Sequence, residues 1–238
     1  MEDFKSYFLE NLKELNIKLD DKQIKNFYNF MNELIEWNEK INLTAITQPQ
    51  EIIQKHFIDS LTILKYINEN DSIIDIGTGA GFPGIPLKLA KESLNITLLE
   101  SLNKRILFLD DVIKNQNLNK IKTIHSRVED VANNQEYREK FDIATSRAVA
   151  RLNVLLEYLL PLIKLNGKCI CMKGSNIEEE IKESEKALKI LGGKIEKIDE
   201  FELPNSDMKR TIIVIRKISN TPNKYPRNAG IPSKKPII

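Results

Sequence analysis

Within twelve residues, Ile73-Ile74-Asp75-Ile76-Gly77-Thr78-Gly79-Ala80-Gly81-Phe82-Pro83-Gly84 passes from a strand pattern into a helix start. Ser72–Ile76 is short, apolar and β-branched, the composition of a central parallel strand covered on both faces. Gly77, Gly79 and Gly81 alternate with small residues. Glycine there lets the backbone take positive φ and lets a ligand lie against bare peptide. Pro83 suits the first turn of a helix, where its missing N–H costs nothing. That helix is predicted over 83–93, with its positive end facing the turn.

Glycine spacing narrows the ligand. A dinucleotide fingerprint reads G-x-G-x-x-G, so that a pyrophosphate rests on the helix N-terminus. Here Phe82 stands at the last glycine position, and the pattern present is D-x-G-x-G-x-G from Asp75 to Gly81. It resembles the first motif of S-adenosylmethionine (SAM)-dependent methyltransferases with a Rossmann-like fold. SAM carries no phosphate. Its sulfonium and amino-acid end suit an acidic strand end and a close backbone, with Asp75 supporting the amino-acid end. A tight strand-to-helix turn with no ligand is the competing reading.

Strand and helix patterns alternate downstream. Strands are predicted over 72–76, 95–99, 120–125, 141–146 and 168–173, with helices over 83–93, 103–115 and 151–160 and a short turn near 128–132. Such alternation implies an α/β fold: a parallel sheet with helices on both faces. A helix over 177–191 ends at Gly192-Gly193. Runs at 194–202 and 209–217, separated by Pro204-Asn205-Ser206-Asp207, read as a hairpin. A parallel sheet closed by an antiparallel hairpin has the order of a Rossmann-like, seven-stranded class I SAM methyltransferase sheet. Upstream, 3–15, 20–37 and 49–66 carry apolar residues at helical spacing. The expected organisation is an N-terminal helical cap (1–68), a SAM-binding methyltransferase domain (69–218), and a basic, proline-containing tail (219–238) packed on or near the active site.

Composition fits a soluble globular chain of 238 residues. No apolar run approaches the ~20 residues of a membrane span, and the charged N-terminus lacks a signal-peptide core. Cys169 and Cys171, two apart on a strand, read as small buried residues in a reducing cytoplasm, against a redox or metal role. Neither histidine has a metal-ligand partner at useful spacing, so no metal is expected. Residues 1–70 hold 8 Lys/Arg and 12 Asp/Glu, whereas 208–238 hold 8 Lys/Arg and no acid. That basic end is either a polyanion contact or a solvated tail.

Glu100 closes the second strand, 23 residues after Gly77, where an acid can accept both ribose hydroxyls of a nucleoside cofactor; a carboxylate of the helix N-cap region is the alternative. The third strand ends at His125-Ser126-Arg127-Val128-Glu129, which places Val128 and Glu129 beside an adenine. Ligands of open parallel sheets bind outside the strand carboxyl ends, so Arg147, just beyond the fourth strand, points into the pocket; an ordinary surface arginine is the alternative. Thr145-Ser146-Arg147-Ala148 is neither the Asn/Asp-Pro-Pro-aromatic run of adenine amino methylation nor the Pro-Cys of pyrimidine C5 methylation. A lone-pair target such as guanine N7 needs neither a general base nor a covalent catalyst, only positioning; the missing motifs fit other simple nucleophiles as well.

Six blocks together resemble the RsmG (GidB) family of small-subunit ribosomal RNA methyltransferases: Asn42-Leu43-Thr44-Ala45-Ile46, His56-Phe57-Ile58-Asp59-Ser60-Leu61, Asp75 to Pro86, Glu100 to Arg105, Ser146 to Ala150, and Tyr225-Pro226-Arg227 through Lys234-Lys235-Pro236. The resemblance spans essentially the whole chain. It implies SAM-dependent methylation of guanine N7 in the decoding-site region of 16S rRNA, in the bacterial cytoplasm. It also implies cofactor contacts at Gly77, Phe82, Val128, Glu129 and Arg147. With the motif residues, the expected cofactor set is Asp75, Gly77, Gly79, Gly81, Phe82, Glu100, Val128, Glu129 and Arg147, and Arg147 is the candidate positioning residue. Asn228 and Ile231 replace the Lys and Thr common in relatives, which leaves Arg227, Lys234 and Lys235 as candidate RNA contacts. His56 joins them as a candidate at the RNA or cofactor mouth; three residues from Asp59 on one helix face, it also reads as a packing and capping pair. The expected partner is 16S rRNA or the small subunit, with the enzyme a monomer and no membrane. A small-molecule methyltransferase and a non-catalytic RNA-binding protein are the competing functions.

Overall fold

A computed structural model describes residues 1–147 and 149–238; Ala148, within one block of the family pattern, lies outside the described residues. Strand β1 (Ser72–Ile76) has Ile73, Ile74 and Asp75 wholly buried. It pairs in parallel with β2 (Asn95–Glu100) on one side and β4 (Phe141–Arg147) on the other, and β3 (Ile121–His125) lies outside β2. β5 (Ile163–Lys173) follows β4 in parallel, and the antiparallel hairpin of β6 (Gly193–Glu202) and β7 (Lys209–Lys217) inserts β7 next to β5. The order is β3-β2-β1-β4-β5-β7-β6. The chain leaves β1 toward β2 and returns on the opposite side with β4. The carboxyl ends of β1 and β4 therefore flank the switch point, where doubly wound sheets bind ligands.

The cap begins with α1 (Glu2–Glu14) and α2 (Asp21–Ile41). A capping box fixes the start of α2: Gln23 N–H donates to Asp20 Oδ1 at 2.8 Å, and Asp20 N–H donates to Gln23 Oε1 at 2.9 Å. Its end is set by Asn42 at φ 46° and by Asn38 Oδ1, which accepts from the N–H groups of Leu43 and Thr44. Phe8, Phe27, Phe57, Phe30 and Phe82 follow with successive ring centroids 4.9 to 5.6 Å apart. The cap and one face of the sheet thus share a single core.

The third cap segment is not the continuous helix predicted over 49–66. It runs α3 (Pro49–Ile52), a π turn (Ile53–Ile58), α4 (Asp59–Leu61) and a 3-10 turn (Leu64–Tyr66). Wider π turns often mark functional positions; this one carries His56. Around the sheet lie α5 (Gly84–Ala90), α6 (Asn103–Asn115), α7 (Val128–Asn133) and α8 (Leu152–Leu159). The helix predicted over 177–191 is split into α9 (Glu178–Glu183) and α10 (Glu185–Leu191). Ser184 lies at the break, its hydroxyl donating to the Glu180 carbonyl and competing with the helix ladder. A short helix, α11 (Ile231–Lys234), lies in the tail. No described helix is long and apolar enough to cross a membrane.

Candidate active site

Gly77, Gly79 and Gly81 all have positive φ, at 63°, 62° and 90°. A Cβ on Gly79 would meet only the Gly77 carbonyl, at 4.0 Å, so the turn leaves open space at its middle. The turn is tied to the neighbouring strand: Gly77 N–H donates to the Leu99 carbonyl at 2.9 Å and Gly79 N–H to Glu100 Oε2 at 3.1 Å.

Asp75 is fully buried beneath this turn. Its Oδ2 accepts from Thr78 Oγ1 at 2.5 Å and from Gly84 N–H at 2.9 Å. Gly84 must be glycine: a Cβ would stand 2.9 Å from that same Oδ2 and 2.3 Å from Leu98 Cδ2. Asp75 Oδ1 has no hydrogen-bond partner among the described residues. Burial pushes the carboxyl up to about 6, against the pull of its two hydrogen bonds. Glu100 is held differently. Oε1 accepts from the N–H groups of Ser101 and Leu102, and Oε2 accepts from Gly79 N–H and from Arg105 at 3.2 Å. The Ser101 hydroxyl donates to Oε1 as well, at 3.4 Å, so Arg105 and Ser101 supply the side-chain donors, and Arg105 is the long one that can swing away.

Arg147 is the last residue of β4, one beyond the predicted strand end. Its guanidinium lies 5.0 Å from the centre of the Phe82 ring. Nη1 donates to the Lys55 carbonyl at 2.9 Å and to Asp59 Oδ2 at 3.3 Å, and Nη2 donates to His56 Nδ1 at 3.0 Å. Asp59 Oδ1 accepts in turn from Arg210 Nε at 3.1 Å. His56 stacks on Phe82 with centroids 4.3 Å apart, and its Nε2 is 3.0 Å from Thr44 Oγ1. His56 is only 7% exposed, with both ring nitrogens engaged inside the protein. Of its two readings, RNA or cofactor mouth and packing pair, the burial matches packing: His56 holds Arg147 from within the protein.

The remaining candidates separate. Val128 and Glu129 open α7, where no side chain caps the first turn. Glu129 Oε1 accepts from Gly230 N–H at 2.9 Å. Arg227, expected to face RNA, donates through Nε and Nη2 to Glu157, whose buried carboxylate requires a cation. Lys234 and Lys235 are exposed and without an acidic partner among the described residues. Three cations of the basic end are paired within the protein: Arg210 pairs with Asp59, Arg216 with Glu196, and Lys217 is wholly buried against Glu139. Among the described residues, no group of three or more His, Cys, Asp or Glu could hold a metal ion. Composition and spacing did not single out Thr44, Arg210 or Gly230. The Asn-Leu-Thr block was the only signal for Thr44.

A seven-stranded sheet of this order, with a glycine turn and an acid at the ends of β1 and β2, defines the class I SAM-dependent methyltransferase fold. Solved structures of similar fold include M. jannaschii TYW2 in complex with AdoMet (TM-score 0.55, 18% identity, covering 72% of this chain and 77% of that one). A SAM dependent methyltransferase from Aquifex aeolicus is similar too (TM-score 0.53, 15% identity, 72% and 94%). The sequence pattern of GidB, rRNA small subunit methyltransferase G, matches residues 23–212. Ribosomal RNA small subunit methyltransferase G of Acetivibrio thermocellus is 53% identical over 96% of this chain and 95% of its own length. The protein of that name from Alkaliphilus oremlandii is 48% identical over 99% of each. The chain belongs to the rRNA small subunit methyltransferase G family.

Proposed function

We propose that the chain transfers the methyl group of SAM to N7 of a guanine in the decoding-site region of 16S rRNA, acting as a cytoplasmic monomer. The observation that carries this reading is the switch-point site: an open glycine turn over a buried acid, one of whose oxygens has no partner among the described residues. The residues fit SAM. Asp75 Oδ1, enclosed beneath the turn, suits the cofactor's ammonium through a bridging water. The open face of Gly79 leaves room for its amino-acid end. Glu100 accepts the ribose hydroxyls once Arg105 moves aside, and Val128 and Glu129 border the base. When bound, SAM supplies an electrophilic methyl group on a sulfonium.

The chain's own residues position rather than activate. Both cysteines are fully buried, and burial pushes the Cys171 thiol up to about 12 and Cys169 well above its usual value. Neither can serve as the thiolate that pyrimidine C5 methylation requires. Guanine N7 offers a lone pair and carries no proton to remove, so orientation supplies the rate. In this reading residues 1–68 are the cap that holds Arg147, 69–218 bind the cofactor, and 219–238 close the site and present Lys234 and Lys235 to RNA. Arg147, braced on three sides, orients the reacting groups. Mass spectrometry of digested rRNA from cells with and without the protein tests it: 7-methylguanosine should vanish at one position. A lost methyl on ribose, cytosine or an exocyclic amine overturns it.

A further inference from the structure

Beyond β7 the chain is fastened every few residues. Glu139 Oε1 accepts from Lys217 Nζ at 2.6 Å and Thr221 N–H at 3.2 Å. Arg138 donates to the carbonyls of Thr221, Pro222 and Tyr225. Arg227 meets Glu157 through its backbone N–H at 2.8 Å and its guanidinium at 2.6 to 3.2 Å, and Glu157 is only 1% exposed. Farther on, Tyr158 Oη lies 2.9 Å from Ser233 Oγ, and Ile237 is buried.

Gly230 lies between these last fastenings, at φ +81°, and its N–H reaches Glu129 Oε1. A Cβ there would meet nothing within 4 Å, so glycine is needed for its φ rather than for space. Helices α7 and α8 each present an acid to the strap, Glu129 and Glu157, and the strap answers one with an amide and the other with a guanidinium.

We propose that this strap is a positioning element of the cofactor site: docking of Arg227 on Glu157 sets the Gly230 amide on Glu129 and fixes the carboxylate bordering the nucleobase subsite. The proposal rests on reading the site as a SAM pocket. A glutamate held before the ligand arrives loses less side-chain freedom on binding. Coupling between sites is reciprocal, so a cofactor that favours the docked strap must also tighten it.

Titration with S-adenosylhomocysteine tests this in the full-length protein. Arg227→Ala should weaken binding about tenfold, within the usual range of coupling between sites. Arg227→Lys, which keeps the charge but not the two-armed geometry, should fall between. In the wild type, S-adenosylhomocysteine should slow hydrogen exchange at the Gly230 amide by about fivefold or more; this reading stands even if Arg227→Ala fails to fold. Unchanged affinity in Arg227→Ala, or unchanged exchange at Gly230, overturns the proposal and leaves the strap a stabilising brace. Loss of binding to a 16S rRNA transcript with cofactor affinity intact also overturns it, making Arg227 an RNA contact. A wild-type protein that fails to bind S-adenosylhomocysteine fails the functional reading itself.

Discussion

Arg147 Nη2 donates to His56 Nδ1 at 3.0 Å, and that one contact fixes the histidine's chemistry. A guanidinium can only donate, so Nδ1 is an unprotonated acceptor and Nε2 carries the hydrogen, directed at Thr44 Oγ1. Burial and then the Arg147 charge hold His56 down to about 3.

This sets an acid-stability test. A histidine with a lowered folded pKa contributes stability that is complete above its unfolded value near 6.5 and is lost as pH falls toward about 3. Asp75, raised from 3.8 to about 6, has the opposite slope: its contribution is complete below 3.8 and lost as pH rises through 6. The two oppose each other between pH 4 and 6. Removing the histidine with His56→Gln should expose the Asp75 slope. Relative to the wild type, the variant should gain roughly 1.4 kcal/mol per pH unit on acidification below 6. Denaturant melts at pH 4.5, 5.5 and 7 measure it, and parallel curves refute it.

Asp75 also predicts a pH dependence of cofactor binding. Its free oxygen attracts an ammonium only when ionised, so affinity should climb through about pH 6 and level off above it. Below the midpoint the loss approaches about tenfold per pH unit. Asp75→Asn should bind weakly at every pH. Calorimetry with S-adenosylhomocysteine from pH 5 to 8 would settle the matter, and a flat wild-type curve would exclude the pairing.

At Gly79 the prediction separates folding from binding. A Cβ there comes no closer than 4.0 Å to any atom beyond its chain neighbours, but valine must adopt φ +62°, a strain of roughly 1–3 kcal/mol. Gly79→Val should therefore fold with a lower Tm and lose cofactor binding, because the branched side chain fills the space over the turn. Wild-type affinity in the folded variant would mean that the cofactor lies elsewhere.

Phe30 tests the shared core. It is fully buried and touches Phe57, Phe82 and Phe108. Phe30→Ala should cost about 3–5 kcal/mol and lower a single unfolding transition. Two separate calorimetric transitions would show instead that the cap melts alone.

The turn at Gly77–Gly81, the acid at Glu100 and the strand–helix alternation were legible because each is a local pattern. The bonds that complete the site are not local. Asp59 and Arg210 are 151 positions apart, and Gly230 and Glu129 are 101. A single sequence holds no register between such segments. The π turn escaped because six residues of apolar spacing cannot separate it from an α-helix. Charge counting misread the basic end for a related reason: composition registers Arg210, Arg216 and Lys217 as free cations, whereas folding pairs each with an acid.

The aromatic row from Phe8 to Phe82 means that the helical cap is not a cover that lifts. Its rings pack from α1 into the motif turn itself, so opening the cap would tear the core that holds Phe82 under Arg147. Adaptation must then fall to the nucleic acid. If the proposed guanine is the target, it has to unstack and swing outward to meet a mouth already set, as bases do for enzymes that work on atoms hidden in a helix. Substrates with loosened, unpaired loops should be methylated fastest, and selectivity among target nucleotides becomes a property of RNA deformability as much as of contacts with protein.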